Sequence, residues 1–207
     1  MSQDDHPDSP PDATPAPTSY GVRMIRDHLD NFPNWEFREG FGMRPIQPGE
    51  EHVWEDIQRD ADPSFPRKDG LFDQEFGYDS VTAWKRVFLV TGPEGLAVGT
   101  IGAWYDRNFL GEEYGRIHWV ATRPSFQGLG LAKASLIQAL RVLAQFHHKV
   151  YLSTQTKRVP AIAIYLDAGF FPQIASEPDR IAWSQAMPAM RKPEHRALIT
   201  EAVAAKL

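Results

Sequence analysis

The chain has 207 residues, 42% of them hydrophobic and 12% aromatic, enough for one self-supporting core without a disulfide or metal staple. Its 22 Lys and Arg stand against 27 Asp and Glu, a formal charge of −5, which excludes a basic protein built to coat nucleic acid. The absence of cysteine excludes disulfides, thiolate catalysis and Cys-ligated metal.

The charge is uneven. Residues 1–20 hold Asp4, Asp5, Asp8 and Asp12 and no Lys or Arg, which leaves residues 21–207 at −1. The same stretch is rich in proline and poor in large apolar groups, so it cannot offset its ordering entropy. Residues 1–19 therefore read as a disordered tail, ahead of a domain over 20–192 and a C-terminal helix over 193–207. No basic start leads into an apolar run, and no stretch approaches the roughly 18 apolar residues of a membrane span. A cytoplasmic protein without membrane partners is expected.

In chain order, Val22 to Ile25 predicts a short strand, and Asn31 to Trp35 a turn with aromatic plugs. Phe41 to Ile46 predicts a second strand, and Glu50 to Asp60 a helix with Val53, Trp54 and Ile57 on one face. Residues 61–80 mix Pro63, Pro66, Gly70 and Gly77 with Phe65, Leu71, Phe72, Phe76 and Tyr78. They read as an irregular, aromatic-rich loop and a candidate substrate lid. Arg86–Thr91 and Leu96–Trp104 flank Gly92-Pro-Glu-Gly95 and predict a hairpin. Gly99 and Gly102 in its second arm predict a bulge or a close backbone approach. Tyr105 to Tyr114 reads as a turn, and Gly115 to Thr122 as a strong strand.

The period then changes. Leu136, Leu140 and Leu143 predict an amphipathic helix over 129–146, with His147 and His148 at its C-terminus, where imidazolium suits the helix dipole. Val150–Thr154 predicts a strand, Pro160–Ala168 a short helix stopped by Gly169, and Ile181–Trp183 a last strand. Runs of strands mixed with helical crossovers imply a mixed α/β sheet.

Chemistry concentrates in Thr122-Arg-Pro-Ser-Phe-Gln-Gly-Leu-Gly-Leu-Ala132, between a strand and a helix. Gly128 and Gly130 let backbone approach a ligand, and the opening helix offers unpaired N–H groups and a positive dipole end. The turn reads either as a phosphate cradle or as a tight loop with glycines for packing. A dinucleotide G-x-G-x-x-G and a Gly-Lys-Ser/Thr P-loop are both absent.

Gln127-Gly-Leu-Gly-Leu-Ala132, behind Pro124, fits [RQ]-x-x-G-x-[GA] and resembles the pyrophosphate loop of the GNAT superfamily of acyl-CoA N-acyltransferases. Ala161-Ile-Ala-Ile-Tyr-Leu-Asp-Ala-Gly-Phe170 is similar to that superfamily's A-I-x-L-Y-x-x-x-G-F block. The resemblance covers roughly 41–173. It implies a GNAT-like, mostly antiparallel central sheet with helices on both faces and splayed middle strands. It implies acetyl-CoA as the cofactor, with N–H groups of Gln127, Gly128, Leu129, Gly130, Leu131 and Ala132 on its pyrophosphate. Backbone of Val120 and Thr122 would pair with the pantetheine arm, and the Val120 N–H would stabilise an oxyanion.

Under the same resemblance Tyr165 protonates the departing thiolate, the alternative being a core aromatic. An acceptor amine must lose a proton first, since an alkyl ammonium has a pKa near 10.4. His118 is the leading candidate base, sharing side-chain parity with Val120 and Thr122; its alternative is a partly buried structural histidine. Glu112 and Glu113 are further candidates or a solvated turn. The family's asparagine before the second block is replaced by Arg158, which with Lys157 could pair with phosphate, with an acidic acceptor, or with solvent alone. Trp104, Trp119, Phe65, Phe72 and Phe76 either wall an apolar acceptor pocket or form core. No metal set stands out.

These readings imply an N-acetyltransferase acting on a small-molecule or peptide amine, a homodimer being possible. A non-catalytic CoA-binding sensor or regulatory module is the alternative, and a scaffold using the tail a third.

Overall fold

The computed structural model describes residues 19–63 and 69–205. The expected disordered tail, Ser19 apart, and Phe65 lie outside the described residues.

Among the described residues, seven strands build one sheet in the order β2-β3-β4-β5-β6-β1-β7. They are β1 Gly21–Arg26, β2 Gly42–Pro45, β3 Val87–Thr91, β4 Ala97–Phe109, β5 Glu112–Thr122, β6 Val150–Gln155 and β7 Phe171–Gln173. All neighbours are antiparallel except β5 and β6, which run parallel. The mixed, mostly antiparallel sheet is thus the one expected.

Helices cover both faces. On one lie α1 Glu51–Ala61, α2 Leu71–Phe76 and α3 Ser80–Arg86. They bury Trp54, Ile57, Phe72, Phe76 and Ala83 against Val87, Leu89, Trp104 and Ala121. On the other lie α4 Leu131–Leu143, α5 Val159–Asp167, α6 Glu177–Ala186 and α7 Pro193–Ala204. Their Leu136, Leu140, Ile162, Trp183 and Ile199 join Met24, Ile101, Ile117 and Leu152 in the larger core. The C-terminal helix therefore packs on its own domain. His195 is buried there with Nε2 2.8 Å from Asp167 Oδ1.

Several elements depart from expectation. The candidate lid is helical from residue 71, and Phe72 and Phe76 are 2% and 0% exposed, so they are core and not a mobile wall. Glycines at 70 and 77 suggested loop, yet Gly70 takes a positive φ of 77° just before α2 and Gly77 continues into a short 3-10 turn. The turn expected over Tyr105 to Tyr114 is confined to Leu110 and Gly111. β4 runs on to Phe109 and β5 starts at Glu112, because Phe109, Tyr114 and Tyr151 pack together and give this end its own apolar cluster. Ile181–Trp183 lies inside helix α6, not a strand. Ser176 Oγ accepts from the Asp179 N–H and caps that helix, a start signal that outweighs three apolar residues in a row. β7 had no sequence signal beyond Phe170-Phe171, and three residues are too few to show a period.

His147 and His148 lie beyond the end of α4 at Leu143. His147 is buried between Glu113 and Arg86, and burial, with the Arg86 charge, holds its pKa below the usual histidine value. It is not the imidazolium expected at a helix end.

Gly99 and Gly102 do mark a close approach. A Cβ on Gly99 would stand 2.7 Å from the Ala121 carbonyl oxygen, and one on Gly102 would stand 3.1 Å from that of His118. Both obstacles are β5 backbone, which cannot swing away as a side chain can. Gly99→Ala is expected to lower stability by about 1–3 kcal/mol in urea denaturation, as overpacking does elsewhere.

Candidate active site

β5 and β6 pair from Gly115↔Val150 to Ile117↔Leu152 and no further. Beyond that row the strands part, and a cavity of about 930 Å³ opens between them. That volume sits in the range of small-molecule sites. Its walls include His118, Trp119, Val120 and Thr122 of β5, Ser153 and Gln155 of β6, the turn at 126–133, and Arg158 and Tyr165 of the α5 region. The fold thus gathers the predicted residues from two distant sequence blocks into one cleft.

A bulge shapes the β5 wall. Thr100 pairs with Ala121 while Gly102 pairs with His118, so Trp119 and Val120 together oppose Ile101. Trp119 carries a φ of +49°, an expensive conformation for a bulky residue that persists only where its surroundings fix it. They do. The Thr100 hydroxyl donates to the Trp119 carbonyl at 2.8 Å. The Gln58 amide donates to Thr100 Oγ1 at 2.7 Å and to the Trp119 carbonyl at 3.2 Å. The Trp119 indole N–H donates to Glu75 Oε2 at 2.9 Å, and its ring meets Trp54 edge to face. With the Trp119 carbonyl fixed toward β4 and α1, the trans peptide points the Val120 N–H the other way, toward the gap.

The bulge also changes side-chain parity. His118 touches Phe76 and faces α2, whereas Val120 packs with the α4 and α5 core. His118 therefore does not share a face with Val120, as uninterrupted alternation had implied. His118 Nε2 is 3.0 Å from Glu75 Oε2. Burial lowers the pKa of His118, and the Glu75 carboxylate opposes that. Glu75 in turn stays ionised, held below the usual carboxylate range chiefly by its bond to His118. A neutral imidazole facing a carboxylate carries its proton on Nε2, which leaves Nδ1 as the lone pair.

At the open end, Gly128 and Gly130 take φ of +76° and +79° with open space where a Cβ would stand. Gly130 precedes α4 and no side chain caps that helix, so its first N–H groups, Leu131 and Ala132 among them, have no intrahelical acceptor. Leu129 packs beside Leu131 and Phe126, and Lys133 lies over the Trp35 ring. The Gln127 N–H is used within the turn by the Pro124 carbonyl at 3.2 Å, and its side chain bonds the Thr122 carbonyl. An uncapped helix start behind two Cβ-free positions fits a diphosphate.

Tyr165 is buried at the back of the cleft, and burial pushes its phenol up to about 12 against a small opposing effect of the Arg158 charge. Arg158 is engaged by an acid at the end of α1. It bonds Asp62 Oδ2 at 3.0 Å and so links the start of α5 to the end of α1. Glu112 pairs with Lys149 and Glu113 with His147, both away from the cavity. Of the five candidate wall aromatics only Trp119 among the described residues lines it. No metal-binding group of three His, Asp or Glu occurs among the described residues.

Sequence reading missed Gln58 and Glu75. Gln58 was findable, because Trp54, Ile57, Gln58 and Ala61 fall on one helical stripe and a polar residue there must be buried. Glu75 had no such signal, since its role depends on how α2 packs on β5. Thr100→Val would leave the Gln58 amide and the Trp119 carbonyl short of a partner. It is expected to cost about 1–3 kcal/mol by thermal or urea unfolding.

The model of the family described as "Acetyltransferase (GNAT) family" matches residues 51–170. A search of the curated proteins gave no match. Among solved structures, a GCN5-related N-acetyltransferase from Sphaerobacter thermophilus is similar at TM-score 0.58 and 24% identity, over 75% of this chain and 50% of that one. A GNAT acetyltransferase from Colwellia psychrerythraea gives 0.57 and 18%, over 75% and 54%. A putative GNAT acetyltransferase from Novosphingobium aromaticivorans gives 0.51 and 17%, over 78% and 66%. The chain spans about half the length of the first two, and at such identities the likeness concerns the fold. The family match runs from the first turn of α1 through the bulged strand and the glycine turn to Phe170, more than half of the sequence. On that ground the chain belongs to the acetyltransferase (GNAT) family.

Proposed function

We propose that the protein is an N-acetyltransferase that moves the acetyl group of acetyl-CoA to an amine by direct attack. The observation that carries this reading is the Trp119 bulge, which turns the Val120 N–H toward the gap between β5 and β6. A fixed N–H at that place would donate to a carbonyl oxygen as charge grows on it, the largest single contribution in acyl transfer.

Acetyl-CoA would supply a thioester, an acyl group already activated toward a nitrogen nucleophile. Its diphosphate would rest on the N–H groups of residues 128–132, and its arm would run along Val120 and Thr122 in the manner of an added strand. His118 Nδ1 would take the proton of the attacking amine, with Glu75 holding the ring and its tautomer. Tyr165 would donate its hydroxyl to the leaving sulfur.

The magnitudes limit what Tyr165 does. A phenol near 12 giving a full proton to a thiolate with a conjugate acid near 8.5 is uphill by about 5 kcal/mol. Tyr165 therefore acts best as a hydrogen-bond donor that strengthens as sulfur gains charge. The Arg158 cation helps, since its charge draws the phenol's pKa down.

Tyr165→Phe is expected to reduce kcat about a hundredfold with CoA affinity unchanged, read by thiol release over an amine panel and by calorimetry. CoA binding with no thiol release for any amine would instead indicate a regulatory module. The pH profile of kcat follows from His118. Only the neutral ring accepts a proton, and burial places its pKa below about 6.5, so kcat should be flat above neutrality and fall in acid below that value. Glu75→Gln removes the group that raises this pKa. The acid limb should move to lower pH while the plateau drops. An unmoved limb would remove His118 from the role of base.

A further inference from the structure

The face of the sheet that carries His118 also carries a half-buried cation that the proposed acyl transfer does not use. Arg116 stands two residues earlier on β5, opposite Tyr151 of β6, and lines the cavity. Its guanidinium lies 5.5 Å from the Tyr151 ring centroid. Its Nε is buried with no hydrogen-bond partner among the described residues.

An unsatisfied buried donor is costly, and more so when it is charged. The acids that sense Arg116 are already engaged. Glu75 holds His118 and Trp119, and Asp106 accepts from the Tyr151 hydroxyl at 2.8 Å and the Asn108 N–H at 3.0 Å. A second cation lies on this face. Arg23 of β1 pairs with Ser153, on the same side as Tyr151, and its nearest acid is Asp179 at 3.9 Å. Because β5 and β6 are still paired at Arg116, the acetyl donor cannot pass between them there. Arg116 is thus reached from the acceptor side.

Two residues of strand separate Arg116 from His118, about 7 Å along β5. Resting on the acyl-transfer reading above, the geometry points to an acceptor that carries a carboxylate several bonds from its reacting amine, with Arg116 as the subsite for that carboxylate. The planar fork of arginine takes both carboxylate oxygens at once, and a pentyl-length acceptor would span the two residues. Arg23 adds attraction at the edge and no direct bond.

Two acceptors of equal chain length, δ-aminovalerate and pentylamine, test this with acetyl-CoA as donor. The wild type should prefer δ-aminovalerate in kcat/KM. Arg116→Met should lose about tenfold to a hundredfold for δ-aminovalerate, the worth of a charge-assisted hydrogen bond, and leave pentylamine within about twofold. Arg116→Lys keeps stem and charge but not the fork, guards against a Met variant that fails to fold, and should lose part of the preference. CoA affinity and the melting temperature should hold in both. Equal losses for the two amines, or no wild-type preference, would overturn the subsite while leaving acetyl transfer intact. If no amine turns over, calorimetric binding of δ-aminovalerate to the CoA-saturated protein decides: binding abolished by Arg116→Met supports the subsite, and no binding overturns it.

Discussion

The site depends on one peptide, between Trp119 and Val120. Placing a tryptophan in the left-handed region costs about 1–2 kcal/mol. Three groups on three elements offset that cost: the Thr100 hydroxyl on β4, the Gln58 amide on α1 and the Glu75 carboxylate on α2. The extra residue does two things. It turns one N–H out of the β4–β5 ladder toward the gap, and it reverses the side-chain alternation of β5. His118 and Trp119 then face α2, while Val120 faces the α4 side. The His118 side chain thereby lies on the α2 face close to the Val120 N–H, which is turned into the gap between β5 and β6.

The splay of β5 from β6 is the second half of the same design. Pairing stops at Ile117↔Leu152, next to the bulge, so the gap opens where the N–H turns. The walls stay in place because both faces are covered by packed helices, and Arg158 with Asp62 ties the end of α1 to the start of α5 across the cleft. Charge around the cleft is mostly paired: Arg123 with Asp60, Arg158 with Asp62, His118 with Glu75. The overall −5 of the chain therefore says little about its ligands. The uncapped start of α4 and the Arg116 guanidinium are the local features that call for anions.

Much of this was legible in the sequence, for physical reasons. Gly128 and Gly130 stood out because only glycine frees backbone at positive φ for a ligand, and both have that conformation. Tyr165 stood out through the block around it, and it lines the cleft. Gly99 and Gly102 announced a bulge or a close approach, and β4 has both, an extra residue at Val98 against β3 and close contact with β5; the bulge that shapes the cleft belongs to β5, where no glycine marks it. His118 was found and placed on the wrong side, since parity counts only hold along an unbulged strand. Within the 61–80 segment, residues 71–80 were misread as loop because Gly70 and Gly77 lie at the ends of α2, which composition alone does not separate from loop. Glu75 enters only through tertiary packing, and Arg116 is one polar residue in a strand, with no sequence signal to separate it from an ordinary outward side chain.

The most direct test of the account replaces the Trp119–Val120 amide by an ester through protein semisynthesis. That removes one N–H and leaves every side chain unchanged. CoA affinity and the melting temperature should stay near those of the wild type, while thiol release from acetyl-CoA with an accepted amine falls about a hundredfold, the worth of one oxyanion donor. Turnover retained within about twofold would contradict the claim that the bulge aims this N–H at the reacting carbonyl.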